Sequence, residues 1–300
     1  MNANMKIIQV LLSAAAVLML TGCQSGSSTS AFGFGVGQSP KVFTGPMVTR
    51  TIDAKNFSEI RTQQSIVVNY TQSPVYSVSC TAPEDAWEYL SITAKGDKLD
   101  CGFGNISTSF RDNSKRVVVN VTGPMVTDFR ASSSGVINVP ALNADAQDVD
   151  VDASSSGSVF IRSLNCRGID IDVSSSACVA VQNIAAAEIE VDGSSSAVVT
   201  VSGNCATASF DFSSSATAKA EIAASGMVEA EASSSSTVEL SGSARTVDLS
   251  ASSSGSVLAE RLKAQTGSIG ATSAGLVRSN VSNLAKSHSS SGGTVRNSDR

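Results

Sequence analysis

Histidine and large aromatic residues are scarce in this chain of 300 residues, which limits the chemistry open to it. The one histidine is His288, near the C-terminal end, so a Ser-His-Asp triad, which needs a histidine beside its nucleophile, is not expected despite the abundant serine. The one tryptophan and the three tyrosines all precede residue 91. The rest of the chain therefore lacks the tryptophan and tyrosine platforms on which sugars stack, which counts against polysaccharide cleavage.

Positive charge is also in short supply. Lys and Arg number 21 against 26 Asp and Glu, and the formal net charge is −5. Because the basic residues form no cluster, nucleic acid is not expected as a partner. No Cys-x-x-Cys pair or Cys/His spacing suggests zinc. The sequence thus points to no catalytic residues, no cofactor and no enzyme.

What the chain does contain is a repeat. The sequence Ser-Ser-Ser returns roughly every 20 residues, and a threonine, Thr272, takes the place of its first serine once. The first serines of the triplets are Ser132, Ser154, Ser174, Ser194, Ser213, Ser233, Ser252 and Ser289. A fixed period of this length is typical of one supersecondary unit stacked on copies of itself.

Apolar residues occupy every second position on both sides of the triplet, as in residues 149–153 (VDVDA) and 158–161 (SVFI). Period two is typical of strands with one buried face. We therefore predict an all-β fold: a right-handed parallel β-helix, or β-solenoid, with coils of about 20 residues, each made of two strands and a return turn. Its inward column would contain Val151, Ile171, Val191, Phe210, Ala230 and Leu249. Alternation continued through the triplet would also place Ser155 and Gly157 inside, where serines could form hydrogen-bonded ladders.

The first residues have the pattern of an exported lipoprotein. Lys6 precedes a mostly apolar run, Ile7 to Leu20, that is too short to span a bilayer and fits a secretory signal. The run ends in Leu20-Thr21-Gly22-Cys23, which resembles a bacterial lipobox. This implies a signal peptide over residues 1–22 and a lipid such as palmitate on Cys23, with an ordinary signal peptide as the alternative. We expect a cell-envelope protein anchored to the outer membrane, on either of its faces.

Four further segments follow the signal peptide. Residues 23–47 are rich in Gly and Ser and are predicted to be a tether, and residues 48–125 are predicted to be an N-terminal β region. Within the latter, Thr81 and Glu84 match a capping box, which predicts a short helix. Cys80 and Cys101 flank that helix and, in an exported protein, form either a disulfide or two buried thiols. The repeat solenoid is assigned to residues 126–278 and a polar tail to residues 279–300.

Acidic side chains recur at outward positions of the repeat, in two adjacent columns. The clearest members are Asp150, Asp152, Asp170, Asp172, Glu190 and Asp192. Like charges one strand apart repel each other, so one interpretation is a solvated face that keeps the sheet from pairing with other sheets. The other interpretations are a cation site, in which carboxylates of neighbouring coils chelate calcium, and a surface for a basic partner.

Several segments resemble the family described as putative auto-transporter adhesin, head GIN domain. The resemblance lies in Phe57-Ser58-Glu59-Ile60, Ser65 to Gln72, Tyr76 to Val78, Lys98 to Cys101, Val117 to Pro124 and Ala131 to Ile137, and covers roughly residues 50–260. It implies an exported, often lipid-anchored β-helical protein. It brings no catalytic residues with it.

We therefore expect a non-catalytic cell-envelope lipoprotein that acts as an adhesin-like binding or structural module. Its ligand would be a surface protein or a glycan, and its contact with the membrane would come through the lipid on Cys23. A polysaccharide-acting β-helix enzyme and a calcium-dependent binding module that uses the acidic columns are the alternatives.

Overall fold

The computed structural model describes residues 41–104, 106, 108–109 and 116–298. This part is all-β and forms a β-solenoid of about eight turns with coils of roughly 20 residues, which confirms the predicted fold class. The signal peptide, Cys23 and most of the predicted tether lie outside the described residues. In the described part, no helix is long and apolar enough to cross a membrane.

The N-terminal region consists of short strands. They are β1 (Lys41–Val42), β2 (Met47–Ile52), β3 (Glu59–Thr62), β4 (Val67–Gln72), β5 (Ser77–Pro83), β6 (Leu90–Lys95), β7 (Lys98–Phe103), β8 (Thr108–Ser109) and β9 (Val118–Gly123). A single 3-10 turn, Glu84–Ala86, stands where the helix was expected. The capping-box prediction is wrong because Thr81 belongs to β5, and the turn begins after Pro83 with no side-chain cap.

Chain order and spatial order differ in this region. β3 lies between β7 and the later strand β10 (Asp128–Ala131), and β4 lies between β9 and β11 (Val136–Val139), all in parallel register. The chain thus forms one coil with β3 and β4, returns to form another beside it with β7 and β9, and then continues on the opposite side at β10. Antiparallel strands β5 and β2 add to β9, and antiparallel β6 adds to β7.

The solenoid repeats a first strand, a second strand and a return segment. Its remaining strands are β12 (Leu142–Asn143), β13 (Asp148–Ala153), β14 (Ser158–Ile161), β15 (Leu164–Asn165), β16 (Gly168–Val173), β17 (Cys178–Ala185), β18 (Glu188–Gly193), β19 (Val198–Cys205), β20 (Thr207–Phe212), β21 (Thr217–Ala224), β22 (Met227–Ala232), β23 (Thr237–Ala251), β24 (Ser256–Ala271), β25 (Leu276–Ser289) and β26 (Thr294–Asn297). The return segment, expected to be a turn, is therefore a third strand: β12 and β15 are separate, and from β17 onward it continues the second strand.

The predicted inward column of the first strands is confirmed. Val151, Ile171, Val191, Phe210, Ala230 and Leu249 follow one another in parallel register, and each is at most 1% exposed. Full burial of a Val or Ile side chain contributes about 1.5–3 kcal/mol. Stacked columns of such residues are therefore the main source of stability in the coils.

Each serine triplet forms a tight corner between the first and second strands. In one coil the N–H of Gly157 donates to the carbonyl of Ser154 at 2.8 Å, and Ser155 and Ser156 have φ values of 48° and 63°, as in a type I′ turn. Ser155 and Ser156 are exposed, whereas Gly157 is buried. The prediction that Ser155 faces inside is therefore wrong, because two consecutive left-handed residues interrupt the alternation.

The corners are linked from coil to coil by the main chain. The N–H of Ser134 donates to the carbonyl of Ser155 at 3.1 Å, and the N–H of Ser156 donates to the carbonyl of Ser175 at 3.0 Å. These bonds, and not inward serine side chains, form the ladder. They bring the backbones so close that a Cβ on Gly157 would lie 2.2 Å from the carbonyl oxygen of Ala131.

Residues expected to be a polar tail contribute strands to the last coil. β25 runs to Ser289 and β26 follows it. The last corner begins at Ser290, one residue later than expected, since Gly293 donates to the Ser290 carbonyl at 2.8 Å. The Asn297 side chain accepts a bond from the N–H of Val281 at 2.9 Å and donates to the Val281 carbonyl at 2.8 Å. A polar last coil of this kind closes the end of a repeat array.

Candidate functional site: a charged groove along the first strands

The first-strand face, defined as the outward side of β7, β3, β10, β13, β16 and β18, carries two columns of charged residues. One column contains Lys98, Glu59, Asp128, Asp150, Asp170 and Glu190, and the other contains Asp100, Arg61, Arg130, Asp152, Asp172 and Asp192. All twelve positions are charged. The structure therefore brings together the six acidic residues selected from the sequence, at about 4.8 Å from strand to strand.

A buried carboxylate joins the basic residues at the N-terminal end of these columns. Glu59 is 4% exposed and forms ion pairs with Lys98 and Arg130, both at 2.9 Å, and with Arg61. Burial acts to raise the pKa of Glu59, but the hydrogen bonds from Arg61 and Lys98 outweigh it and hold that pKa below its ordinary value. Arg130 also meets Asp152. This end of the columns is therefore neutralised.

Sequence reasoning missed the basic end of the columns. A signal was present, because residues 59–61 (EIR) and 128–130 (DFR) share the same alternation of charge, apolar residue and charge. The structure pairs these two segments directly, β3 on β10. The N-terminal region therefore extends the columns of the repeat and supplies their counter-charge.

The middle of the columns has no such counter-charge. In the described part of the chain, no ion pair involves a residue of β16 or β18. Burial raises the pKa of Asp170 to about 6, and repulsion by Asp172, Glu190 and Asp150 adds to the effect. Burial and the repulsion of Asp172 likewise raise the pKa of Asp192. Ionising these carboxylates in the folded chain therefore costs stability.

A groove of about 740 Å³ runs along the serine corners, beside the second of the two columns. Its lining combines carboxylates with the first serine of successive corners: Asp152, Asp172, Asp192 and Asp211 with Ser132, Ser154, Ser174, Ser194 and Ser213. Arg61, Gln63 and Arg130 line its N-terminal end, and no aromatic side chain is among its described lining residues. The groove is therefore long, polar and negatively charged over most of its length.

The groove does not have the geometry of a preformed metal site. Within the described ranges, no three His, Cys, Asp or Glu side chains converge so that they could hold a metal ion. The reason is geometric: residues in one column of a parallel sheet point the same way and lie side by side, so their carboxylates do not surround a common point. A calcium-dependent role of the columns stays a prediction.

The two cysteines considered from the sequence as a disulfide pair are core residues in the structure. Cys80 and Cys101 are buried free thiols and form no disulfide. Burial raises the pKa of Cys80 to about 12, so this thiol stays protonated and unreactive at neutral pH. Cys166 and Cys205 are also free and buried. None of the four has the exposed thiolate that nucleophilic catalysis requires.

A stack of uniform coils with a long charged groove along one face defines a repeat protein of the β-solenoid class. Its sequence matches the family model described as putative auto-transporter adhesin, head GIN domain, over residues 56–225 and 213–300. The chain belongs to this family. A comparison with curated proteins returns no match.

Three solved structures with a similar fold come from Parabacteroides species. A protein described as a putative adhesin from Parabacteroides distasonis is 16% identical, with a TM-score of 0.65 and coverage of 84% of this chain and 100% of that chain. One described as a putative lipid binding protein from the same species is 17% identical, with a TM-score of 0.66 and coverage of 86% and 99%. A putative adhesin from Parabacteroides merdae is 15% identical, with a TM-score of 0.65 and coverage of 84% and 99%. At these identities the likeness shows the fold alone.

Proposed function

We propose that this chain is a non-catalytic, adhesin-like binding module of the cell envelope, and that it binds an extended ligand carrying positive charge along the first-strand groove. The observation that carries the proposal is the groove itself: among the residues that the structure describes, its row of carboxylates has ion-pair partners only at the N-terminal end. Membership of an adhesin family supports a binding role.

The lining of the groove selects the chemistry of the ligand. Asp172, Asp192 and Asp211 lie on successive coils, about 4.8 Å apart along the solenoid axis. A basic peptide segment of another surface protein, or a glycan with amino groups, can place a cation at such intervals and relieve the repulsion between the carboxylates. Hydroxyl groups of the corner serines are available for hydrogen bonds along the same line. Carboxylates and hydroxyls suit a polar ligand better than the lipid implied by the description of one structural neighbour.

A pair of triple variants tests the groove. Asp172→Asn with Asp192→Asn and Asp211→Asn removes three charges from the lining, whereas Asp170→Asn with Glu190→Gln and Glu229→Gln removes three charges from the neighbouring column, outside the lining. Binding of a fluorescent oligolysine peptide is measured by anisotropy at fixed ionic strength. We expect the groove variant to weaken binding about tenfold more than the control variant, since contact charges outweigh distant ones under screening. Equal weakening by both variants, or an unchanged affinity in the groove variant, would contradict the proposal.

The anchoring part of the proposal concerns Cys23, which the lipobox pattern marks as the lipidated residue. Cys23→Ala should leave the protein without lipid and move it from the membrane fraction to the soluble fraction. The shift should be nearly complete because several acyl chains on one residue bind a bilayer far more tightly than a single chain does. Metabolic labelling with a fatty acid checks the modification directly. No label in the wild-type protein would refute the anchor and leave the groove proposal untouched.

A further inference from the structure

A cation is already bound to the row of carboxylates in the groove, and it belongs to the chain itself. Arg130 lines the groove and stands next to Asp152 in the second of the two columns. Its guanidinium forms an ion pair with Asp152 across two adjacent coils. The structure therefore shows at one position what the proposed function expects of a ligand at the following positions, a positive charge held against an aspartate of this row.

Arg130 is held in place by carboxylates on its other side as well. Its Nε lies 2.9 Å from a carboxylate oxygen of Glu59, and its Nη2 lies 3.8 Å from Asp128. Glu59 is buried, so withdrawal of Arg130 would remove one partner of a carboxylate that has little access to water. Arg61, the neighbour of Arg130 in the column, is bound to the same carboxylate. Arg130 is therefore a fixed part of the groove wall.

The aspartates that follow Asp152 in the row have no such partner. Asp172, Asp192 and Asp211 lie on the next three coils of the same column and line the groove. In the part of the chain that the structure describes, none of these three takes part in an ion pair. Arg130 thus marks the point at which the row changes from paired to unpaired carboxylates.

The electrostatic environment changes at the same point. Burial raises the pKa of Asp152, and the positive charge of Arg130 acts in the opposite direction. Burial also raises the pKa of Asp170 and Asp192, but there the neighbouring carboxylates add to the rise. The repulsion that a ligand cation would relieve is therefore concentrated on the coils beyond Arg130.

We propose that Arg130 is a specificity-determining residue of the groove: it occupies the first position of the carboxylate row as a ligand cation would, and thereby fixes where the bound ligand begins. This inference rests on the proposed function of the groove. The cations of the ligand are then confined to Asp172, Asp192 and Asp211, which span about 10 Å along the solenoid axis. A groove limited in this way selects its ligand by the number of positive charges that it accepts.

A ligand cation is a poor competitor for the position that Arg130 occupies. Because the guanidinium is attached to the sheet, its local concentration at Asp152 is high. A guanidinium also presents several N–H donors in one plane, which a lysine ammonium does not match. A second cation placed beside Arg130 would be repelled by it. Asp152 is therefore closed to the ligand although it lines the groove.

Single variants in the wild-type background give the first test. Binding of a fluorescent oligolysine peptide is measured by anisotropy at fixed ionic strength. We expect Asp172→Asn to weaken binding about threefold, because its charge is open to the peptide. Asp152→Asn removes the same charge from the next coil of the same row and should weaken binding less than 1.5-fold, because Arg130 already occupies it.

A double-mutant cycle gives the second test. Arg130→Gln should strengthen oligolysine binding and open Asp152, so that Asp152→Asn in this background weakens binding about threefold. Glu59 keeps Arg61 and Lys98 as partners in Arg130→Gln, so the variant is expected to fold, which circular dichroism checks. Arg130→Lys retains the positive charge and should leave the effect of Asp152→Asn below 1.5-fold.

A second ion pair of the chain supplies the matched control. Arg167 Nε lies 2.7 Å from a carboxylate oxygen of Asp148, and neither residue lines the groove. The cycle of Arg167→Gln with Asp148→Asn removes the same two kinds of charge. Asp148→Asn should have the same effect on oligolysine binding in both backgrounds, since screening weakens distant charges alike.

The outcomes distinguish this inference from the proposed function. If the wild type binds no oligolysine, or if Asp172→Asn binds as tightly as the wild type, the proposed function fails and the inference fails with it. If Asp172→Asn weakens binding but Asp152→Asn weakens it equally in the wild type, the groove binds cations and Arg130 sets no limit. An effect of Asp152→Asn that stays below 1.5-fold in Arg130→Gln, or that reaches threefold in Arg130→Lys, would also overturn the role assigned to Arg130.

Discussion

The first-strand face and the second-strand face, which is the outward side of β9, β4, β11, β14, β17 and β19, belong to the same coils, yet their outward residues have opposite chemistry. The first-strand face is charged at all twelve central positions, and the second-strand face is charged at none of the corresponding twelve. Both faces cover the same core, and both meet at the serine corners. The fold requires only that residues alternate in and out. The fold therefore does not determine which residue types occupy the outward columns, and a function other than folding can select them.

The two faces also differ in their effect on the stability of the fold. Burial and mutual repulsion raise the pKa of Asp170 and Asp192 on the charged face, so the solenoid would be more stable without those charges. On the uncharged face six of the twelve outward side chains are apolar, and three asparagines, Asn69, Asn120 and Asn138, bond to one another. A destabilising column that persists over several coils is the expected property of a binding surface.

The largest effect is expected when a charge is moved onto the uncharged face. Ala180 points outward between Phe160 and Thr200 yet is 2% exposed. Ala180→Asp should therefore bury a carboxylate without a partner and lower the free energy of unfolding by about 3 kcal/mol. Ser209→Asp, the same charge placed on the first-strand side, should change it by less than about 1 kcal/mol. Chemical denaturation measures both, and equal losses would mean that the two faces do not differ in the way described.

A smaller loss is expected at the corner that joins the two faces. Gly157→Ala places a Cβ 2.2 Å from the carbonyl oxygen of Ala131, so the backbone of one coil must move and the unfolding free energy should fall by about 2 kcal/mol. Gly270→Ala is the matched control, because nothing lies within 4 Å of its added Cβ. A loss in the control as large as in Gly157→Ala would show that the corner is not tightly packed.

A small gain is expected when charge is removed from the first-strand face. Asp170→Asn with Asp172→Asn relieves repulsion between adjacent coils and should raise the melting temperature by about 1–3 °C. Millimolar calcium should have the same effect on the wild type as sodium chloride of equal ionic strength, since no three carboxylates converge on one point in the described part. A calcium-specific rise that the double variant abolishes would instead favour the divalent-dependent binding module.

The regular part of the fold was predictable from the sequence because one signal, period two, recurs in every coil. That signal fixed the inward column from Val151 to Leu249 and the two acidic columns, which the structure confirms in register. It failed at the corners, since alternation assumes extended residues and the second and third serines are left-handed. The alternation of inward and outward residues resumes at the small residue that follows them, such as Gly157.

The N-terminal region could not be predicted to the same depth. There the strand order departs from chain order, with β3 placed between β7 and β10, and no local pattern encodes such a rearrangement. The counter-charge around Glu59 was missed because Lys98 and Arg130 lie on strands that are distant in the sequence, and the shared pattern of residues 59–61 and 128–130 shows that two strands are alike but not that they are neighbours. The groove depends on the same long-range pairing.

The central claim is that the first-strand face carries charges the fold would be more stable without. Its most direct test is the melting temperature of the wild type between pH 8 and pH 5 at constant ionic strength. The pKa of Asp170 in the folded chain is about 6, above its ordinary value of 3.8, so the folded state binds more protons than the unfolded state in this range and stability rises as the pH falls. Glu59, whose pKa is lowered, loses its contribution only at lower pH. We predict a melting temperature that increases from pH 8 to pH 5 in the wild type and much less in Asp170→Asn with Asp172→Asn; a flat or decreasing profile in the wild type would contradict the account.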